Sequence, residues 1–233
     1  MLFSPQIPLP LEPSRADRFD DFIAGPNENV VLALKHLLEE PGGSIFLSGP
    51  SGSGKSHLLN ALCHAARANG LGAFYIALDR LPVEAAAGLE GLHSLDLVCV
   101  DDLHSVAGNP VWENALFRCF NEVRSSRGRL AVSSRLALSK LQIGLPDLRS
   151  RLAWGLRLKL ESSDDDGKLQ VLRQRAIALG IELPEDVQRY LIKHSKRDMH
   201  SLLTTLDNIK QAAFVSKRRI TVPLAREVLS SGR

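Results

Sequence analysis

Apolar residues follow two periods along this chain. Short apolar runs bounded by glycine, proline or polar residues occur at Ser44-Ile45-Phe46-Leu47-Ser48, at Gly72-Ala73-Phe74-Tyr75-Ile76-Ala77-Leu78, from Leu95 to Val100, from Arg129 to Ser133 and from Leu156 to Leu160. Each predicts a strand. The stretch Leu97-Val98-Cys99-Val100 has no polar alternation, as a parallel strand covered on both faces requires. Helical spacing lies between these runs. Asn29 to Leu38 stops at Glu39-Glu40-Pro41-Gly42-Gly43, His57 to Cys63 is apolar at helical intervals, and Val111 to Arg124 carries Val111, Leu116, Phe120 and Val123 among polar residues. Helices are expected to separate the strands throughout. Such alternation predicts an α/β domain over residues 19–160: three layers around a mostly parallel five-stranded sheet, with a ligand at the carboxyl ends of the strands.

After Leu160 only the helical period remains. Ser163-Asp164-Asp165-Asp166 reads as an N-cap with an acidic first turn. Helices are expected at about 164–179, 184–194 and 199–215, with a short segment from Ile220 to Leu229, so residues 161–233 form a small all-helical domain. At the other end, four of the first thirteen residues are proline (Pro5, Pro8, Pro10, Pro13), which predicts an extended arm over residues 1–18. There is no internal repeat and no low-complexity tract longer than the Asp triplet.

Charge and composition narrow the functional classes. Residues 1–160 balance 16 Lys+Arg against 16 Asp+Glu, while residues 161–233 carry 13 against 10, so the net +3 resides in the helical part. That bias is too thin for a dedicated DNA-binding stripe, and the cluster Lys217-Arg218-Arg219 reads equally as a solvated helix end. Eight Phe, two Trp and two Tyr are also few for a stacking track on single-stranded nucleic acid. No stretch approaches the ~18 apolar residues of a membrane span and no secretory signal is visible, so a cytoplasmic protein with no membrane partner is expected. Cys63, Cys99 and Cys119 sit in apolar or amphipathic segments and read as small buried hydrophobes.

The densest chemistry is Gly49-Pro50-Ser51-Gly52-Ser53-Gly54-Lys55-Ser56, a G-x-x-x-x-G-K-S loop between a strand and a helix that continues from His57. Its glycines allow backbone N–H groups to turn inward at a helix N-terminus and cradle phosphates. Lys55 would reach the β- and γ-phosphates and the Ser56 hydroxyl would ligate Mg²⁺. Downstream, the third strand ends in Asp101-Asp102. Asp101 is placed to hold the water shell of that Mg²⁺. Asp102 stands where many ATPases use Glu to orient the attacking water. Aspartate is one methylene shorter, and a misplacement of about 1 Å can cost on the order of 10²-fold in rate, so weak hydrolysis at most is expected of this chain.

Taken together, the loop, the strand Val98-Cys99-Val100-Asp101-Asp102, the stretch Leu145-Pro146-Asp147-Leu148-Arg149-Ser150-Arg151-Leu152-Ala153-Trp154-Gly155 and the helical tail resemble the AAA+ module of the bacterial replication initiator DnaA. The resemblance implies an AAA+ P-loop fold with a helical lid. It gives Arg151 the role of an arginine finger acting in trans at a subunit interface, for which a guanidinium suits phosphate oxygens. Phe19-Asp20-Asp21-Phe22-Ile23-Ala24-Gly25-Pro26-Asn27 resembles the N-terminal box of that family, making Phe22 and Ile23 candidate base contacts. Arg197 falls at the start of the sensor 2 helix, with Arg173 and Arg175 as competitors. Ser133-Ser134-Arg135 stands where initiators present an acidic residue, leaving Ser134 as the sensor 1 candidate. Residues 161–233 supply the lid and leave no room for the DNA-binding domain of an initiator, so origin recognition by this chain alone is not expected.

Within the arm, Gln6-Ile7-Pro8-Leu9-Pro10-Leu11 resembles peptides that bind the sliding clamp of DNA polymerase III, its β subunit. Pro8 and Pro10 lower the cost of ordering, while Gln6, Ile7, Leu9, Pro10 and Leu11 supply the contacts. An AAA+ module of this type behind such an arm resembles the Hda family of DnaA regulatory inactivators. That resemblance implies ADP or ATP with Mg²⁺ as ligand, the AAA+ domain of DnaA and the clamp as partners, and DNA reached indirectly through the clamp. It implies a replication inhibitor that stimulates hydrolysis of DnaA-bound ATP and is not itself an independent enzyme. Homo-oligomers and an autonomous ATPase of the helicase-loader type remain alternatives.

Overall fold

The computed structural model describes residues 17–162, 164–195 and 199–231. Strands β1 (Ser44–Ser48), β2 (Ala73–Ala77), β3 (Leu97–Asp101), β4 (Arg129–Ser134) and β5 (Leu156–Lys159) are all parallel, in the spatial order β2-β3-β4-β1-β5. Helices α1 (Glu28–Leu37) and α2 (Lys55–Ala68) bury Leu34, Leu58, Leu59 and Leu62 on one face, against Ile45, Leu47, Leu97, Cys99 and Ala131. On the other face α3 (Pro110–Ser125) and α4 (Pro146–Ala153) pack Leu116, Phe120, Leu148 and Leu152 against Phe46, Val98, Val100 and Val132. The alternate residues of β3 thus feed two separate cores, which is why its apolar run is unbroken.

Two segments depart from the sequence expectation. Between β2 and β3 there is no α-helix: residues 78–94 carry only 3₁₀ turns at Leu78–Arg80, Val83–Leu89 and Leu92–Ser94. Pro82, Gly88 and Gly91 leave no uninterrupted helical stretch, and burial of Ala86 and Leu89 against the sheet covers that face instead. Conversely, the arginine-bearing stretch after Leu145 forms helix α4, started by Pro146 at its first position and too short for its period to be legible.

The remaining helices match the expectation to within about two residues. They are α5 (Asp165–Ala178), α6 (Glu185–His194), α7 (Met199–Ser216) and α8 (Val222–Ser231). Asp164 caps α5 by accepting from the Gly167 N–H at 2.8 Å. The four helices enclose their own core of Leu172, Val187, Leu191, Leu202, Leu206, Ile209 and Leu224. Cys63, Cys99 and Cys119 are buried free thiols, in line with their reading as small hydrophobes. Among the described residues no helix is long and apolar enough to cross a membrane.

Buried polar groups tie distant segments together. The Asn27 amide accepts from the Glu161 N–H (2.8 Å) and donates to its carbonyl (3.1 Å), stapling the N-terminal segment to the chain leaving β5. Arg129 donates to the Leu37 carbonyl and closes the C-terminus of α1. Glu113, in the first turn of α3, is 3 % exposed and accepts from the N–H groups of Gly108 (2.7 Å), Gly144 (3.0 Å) and Leu145 (2.8 Å). That carboxylate fixes the loop from which α4 starts. Replacing Glu113 with Gln puts an amide donor against N–H groups, and a loss of about 2–4 kcal/mol in folding stability is expected by denaturant titration. An unchanged midpoint would show that the staple contributes nothing net.

Candidate functional site

The parallel register places the phosphate loop at the centre of the sheet. β1 lies between β4 and β5, and its crossover through α2 to β2 reverses the direction of winding, leaving a crevice at the strand ends. Gly49 N–H donates to the Ser134 carbonyl (3.2 Å), so the loop departs from a fixed point. Gly52 (φ 72°) and Gly54 (φ 94°) take left-handed conformations that turn the backbone toward the N-terminus of α2. At Gly54 the side chain is excluded twice over, since a Cβ would also lie 2.5 Å from the Phe22 ring.

Lys55 is 5 % exposed and donates from Nζ to the carbonyls of Gly49 and Pro50, both at 2.8 Å. Two of its three N–H bonds are used, leaving one for a phosphate oxygen. Burial lowers its pKa, while Asp102 and Asp101 act in the opposite direction. Ser56 is exposed at the second residue of α2. Ser53 donates to the Pro50 carbonyl at 2.9 Å and holds the loop from within.

Asp101 ends β3 at 1 % exposure. Its Oδ1 accepts from the Ser133 hydroxyl and the Asp102 N–H, and its Oδ2 from the Tyr75 hydroxyl at 2.7 Å. Register explains the selection: β3 and β4 pair Val100 with Val132, placing Asp101 beside Ser133, and Ala77 pairs with Asp101, placing Tyr75 two residues back on the same face. Ser134 points to the opposite face, where its hydroxyl accepts from the Leu136 N–H at 3.1 Å. Burial, then the Asp101 charge, pushes the Tyr75 pKa far above its ordinary value and keeps the phenol a donor.

Asp102 adopts a left-handed backbone (φ 56°, ψ 44°), a conformation uncommon outside glycine. Its carboxylate faces His104 Nδ1 at 3.6 Å, and burial followed by the Asp101 charge raises its pKa. His104 Nδ1 also lies 3.4 Å from the Arg135 N–H, a donor, and burial lowers the pKa of the ring. A neutral His104 accepting from Arg135 satisfies both observations, so its contact with Asp102 is not an ion pair.

A nucleotide with Mg²⁺ fits these residues. The left-handed glycines, one free ammonium proton and a fourteen-residue helix behind the loop present donors to phosphates. One hydroxyl, Ser56, and one carboxylate, Asp101, is the sparse protein set that Mg²⁺ uses beside phosphate oxygens and waters. Of the sequence candidates, Gly49, Pro50, Ser51, Gly52, Ser53, Gly54, Lys55, Ser56 and His57 line the loop and helix start. Phe22 lies against Gly54 and 5.7 Å from the His57 ring. Ile23 follows Phe22 in the same segment. Gln6, Ile7, Leu9, Pro10, Leu11 and Arg197 fall outside the described residues. The competing arginines are engaged inside the helical domain: Arg173 donates to Gln188 (2.9 Å) and Arg175 meets Asp207 (3.1 Å). Sequence reasoning missed Tyr75, Ser133, His104 and Asp17, because none carries a motif signal and each acts through strand register or chain return.

Arg151 lies elsewhere. β5 starts just after Trp154, and Leu156, its first residue, sits beside Ile45 near the start of β1, whereas the phosphate loop follows the end of β1. Roughly 13 Å of strand therefore separates the two. Arg151 Cζ stands 4.2 Å from the centre of the Trp154 ring. Arg149 instead turns back to the Ile143 carbonyl. Gly155 admits no side chain, because a Cβ would meet the Ser44 carbonyl at 2.5 Å, and this close approach sets where Trp154 emerges.

Comparison with known proteins follows the same division. The sequence model of the bacterial DnaA ATPase domain matches residues 14–159, and that of the Hda lid domain matches residues 165–229. The fold is similar to domain III of the Thermotoga maritima replication initiation protein DnaA, at TM-score 0.82 and 23 % identity over 94 % of this chain and 97 % of that one. It is similar to AMPPCP-bound DnaA from Aquifex aeolicus, at 0.71 and 23 % over 87 % of this chain and 67 % of that one. The Thermotoga maritima RuvB Holliday junction branch migration motor shares the fold at 0.68 and 20 % identity, over 93 % and 72 % of the two chains.

His57 closes the N-terminal segment over the loop. Its Nε2 lies 2.9 Å from the Arg18 carbonyl and its Nδ1 3.2 Å from the Asp17 carboxylate. Both are acceptors, so the geometry requires both ring protons. Burial opposes the charged ring, but the Asp17 hydrogen bond and charge, the Arg18 carbonyl and the Asp21 charge outweigh it, and the pKa is raised above 6.5. A raised folded-state pKa contributes stability that is present below the unfolded value and lost as pH rises through the folded one. The stability difference between wild type and His57→Gln is therefore expected to shrink as pH rises above the ordinary histidine range, measured by denaturant titration. A pH-independent difference would refute the imidazolium assignment.

Proposed function

The chain belongs to the bacterial DnaA ATPase-domain family, and from that premise we propose that it is a regulator of replication initiation that inactivates DnaA. On this reading its arm binds the sliding clamp, the clamp carries it to DNA, and Arg151 reaches the nucleotide of a neighbouring DnaA and stimulates hydrolysis of the bound ATP. Its own loop holds ADP or ATP with Mg²⁺ chiefly to set the conformation of the module. The protein works in the cytoplasm, at the replisome.

The observation that carries the reading is the placement of Arg151. It lies near the strand starts, a strand length from the loop around Lys55, a separation that supports a role at a nucleotide other than its own chain's. A finger supplied in this way can raise phosphoryl transfer by ~10³ to 10⁵. The match of residues 165–229 to the Hda lid supports the inactivator over an initiator. At the chain's own site, Asp102 turns toward His104 through a left-handed backbone, which supports a holding role over rapid turnover. The complete loop with Ser56 and Asp101 favours the second reading, an autonomous ATPase of the helicase-loader type, which requires turnover without clamp or DnaA.

The test is the lifetime of DnaA-bound ATP in the presence of clamp loaded on DNA. Wild-type protein is expected to shorten it. Arg151→Ala is expected to abolish the effect while retaining nucleotide and clamp binding. The double change Gln6→Ala and Leu9→Ala is expected to abolish the stimulation that loaded clamp provides, and Lys55→Ala to weaken nucleotide binding by roughly 10²-fold or more, as loss of a charged phosphate contact does. An ATP lifetime unaffected by wild-type protein with loaded clamp rejects the proposal.

A further inference from the structure

A second guanidinium shares the indole that Arg151 stacks on. Arg124, in the last turn of α3, places its Cζ 4.0 Å from the centre of the Trp154 ring, against 4.2 Å for Arg151. Arg124, Arg151 and Trp154 line one cavity of about 300 Å³, floored by Gly43, Ser44 and Gly155 at the strand starts. The indole is 56 % exposed. Its backbone is fixed by the approach of Gly155 to Ser44, but a half-exposed ring has little around it to select a rotamer.

We infer that Arg124 is a positioning residue for the Arg151 finger, acting through Trp154. The ring face attracts a guanidinium electrostatically, even at an exposed site. Held by Arg124 from α3, the indole keeps one orientation and offers Arg151, from α4, a fixed platform. The finger therefore reaches a phosphate with less conformational freedom to lose. Without Arg124 the platform turns and the guanidinium disperses over its rotamers, while the fold is left intact because Arg124 is exposed. This inference rests on the finger reading above.

The experiment measures hydrolysis of DnaA-bound ATP with loaded clamp, across a concentration series of the full chain. For Arg124→Gln the maximal rate is expected to fall about tenfold, with the half-saturating concentration changed by less than about threefold, as expected when orientation rather than binding is lost. Arg124→Lys, which keeps a cation for the ring, is expected to recover most of the rate. Trp154→Ala is expected to match Arg124→Gln, and Trp154→Phe to lie between it and wild type. A wild-type maximal rate for Arg124→Gln, with Arg151→Ala inactive, overturns the positioning role and leaves the finger standing. Equal loss for Arg124→Lys and Arg124→Gln also overturns it, since the ring contact would then not be what matters. If Arg151→Ala keeps the wild-type rate, the finger reading and this inference fall together.

Discussion

The pairing of β1 with β4 at the centre of the sheet determines where every candidate group stands. Five register pairs from Ser44–Leu130 to Ser48–Ser134 bring the start of the phosphate loop beside the end of β4. The Gly49 N–H then closes onto the Ser134 carbonyl. β3 lies on the far side of β4, so its terminal Asp101 meets Ser133 within hydrogen-bonding range and comes within electrostatic reach of Lys55. A slip of one residue would turn Asp101 and Ser133 to opposite faces and disconnect the loop from its carboxylates. Burial on both faces of the central strands makes such a slip costly.

A parallel sheet also gives the domain two unlike edges. At the strand ends lie backbone donors, Lys55 and the carboxylates, an arrangement suited to a polyanion with a divalent cation. At the strand starts lie Arg124, Arg151 and Trp154, beside the first residues of the edge strand β5. A single subunit can therefore hold one nucleotide at one end of the sheet and present a cation at the other, which is the physical basis of the proposal that hydrolysis occurs in a partner.

Buried polar residues connect these edges to the rest of the chain. Asn27 fastens the N-terminal segment to Glu161 at the exit toward the helical domain, while His57 and Phe22 fasten the same segment over the loop. Glu113 reaches from α3 to the loop that begins α4, so the helix bearing Arg151 is tied to the helix bearing Arg124. Removing the Glu113 carboxylate would leave three backbone N–H groups unpaired, and removing the Asn27 amide would leave one N–H and one carbonyl.

Much of this was legible in one dimension. Apolar periods located all five strands and most helices, and the loop from Gly49 to Ser56 declared a phosphate site because its chemistry is carried by consecutive residues. The 3₁₀ crossover before β3 and the helix around Arg151 were missed, since short segments take their conformation from the surface they cover. Tyr75, Ser133, His104 and Asp17 had no signature, because their partners are brought to them by strand register and by the return of the N-terminal segment. Local patterning specifies the layer architecture, the helical second domain and the phosphate loop, all of which depend on near neighbours in the chain. Long-range packing sets that Ser133 rather than Ser134 meets Asp101, that the His57 ring faces two acceptors, and that Arg151 stands a strand length from Lys55 on a ring shared with Arg124. Those facts rest on contacts between remote segments, which no local pattern encodes.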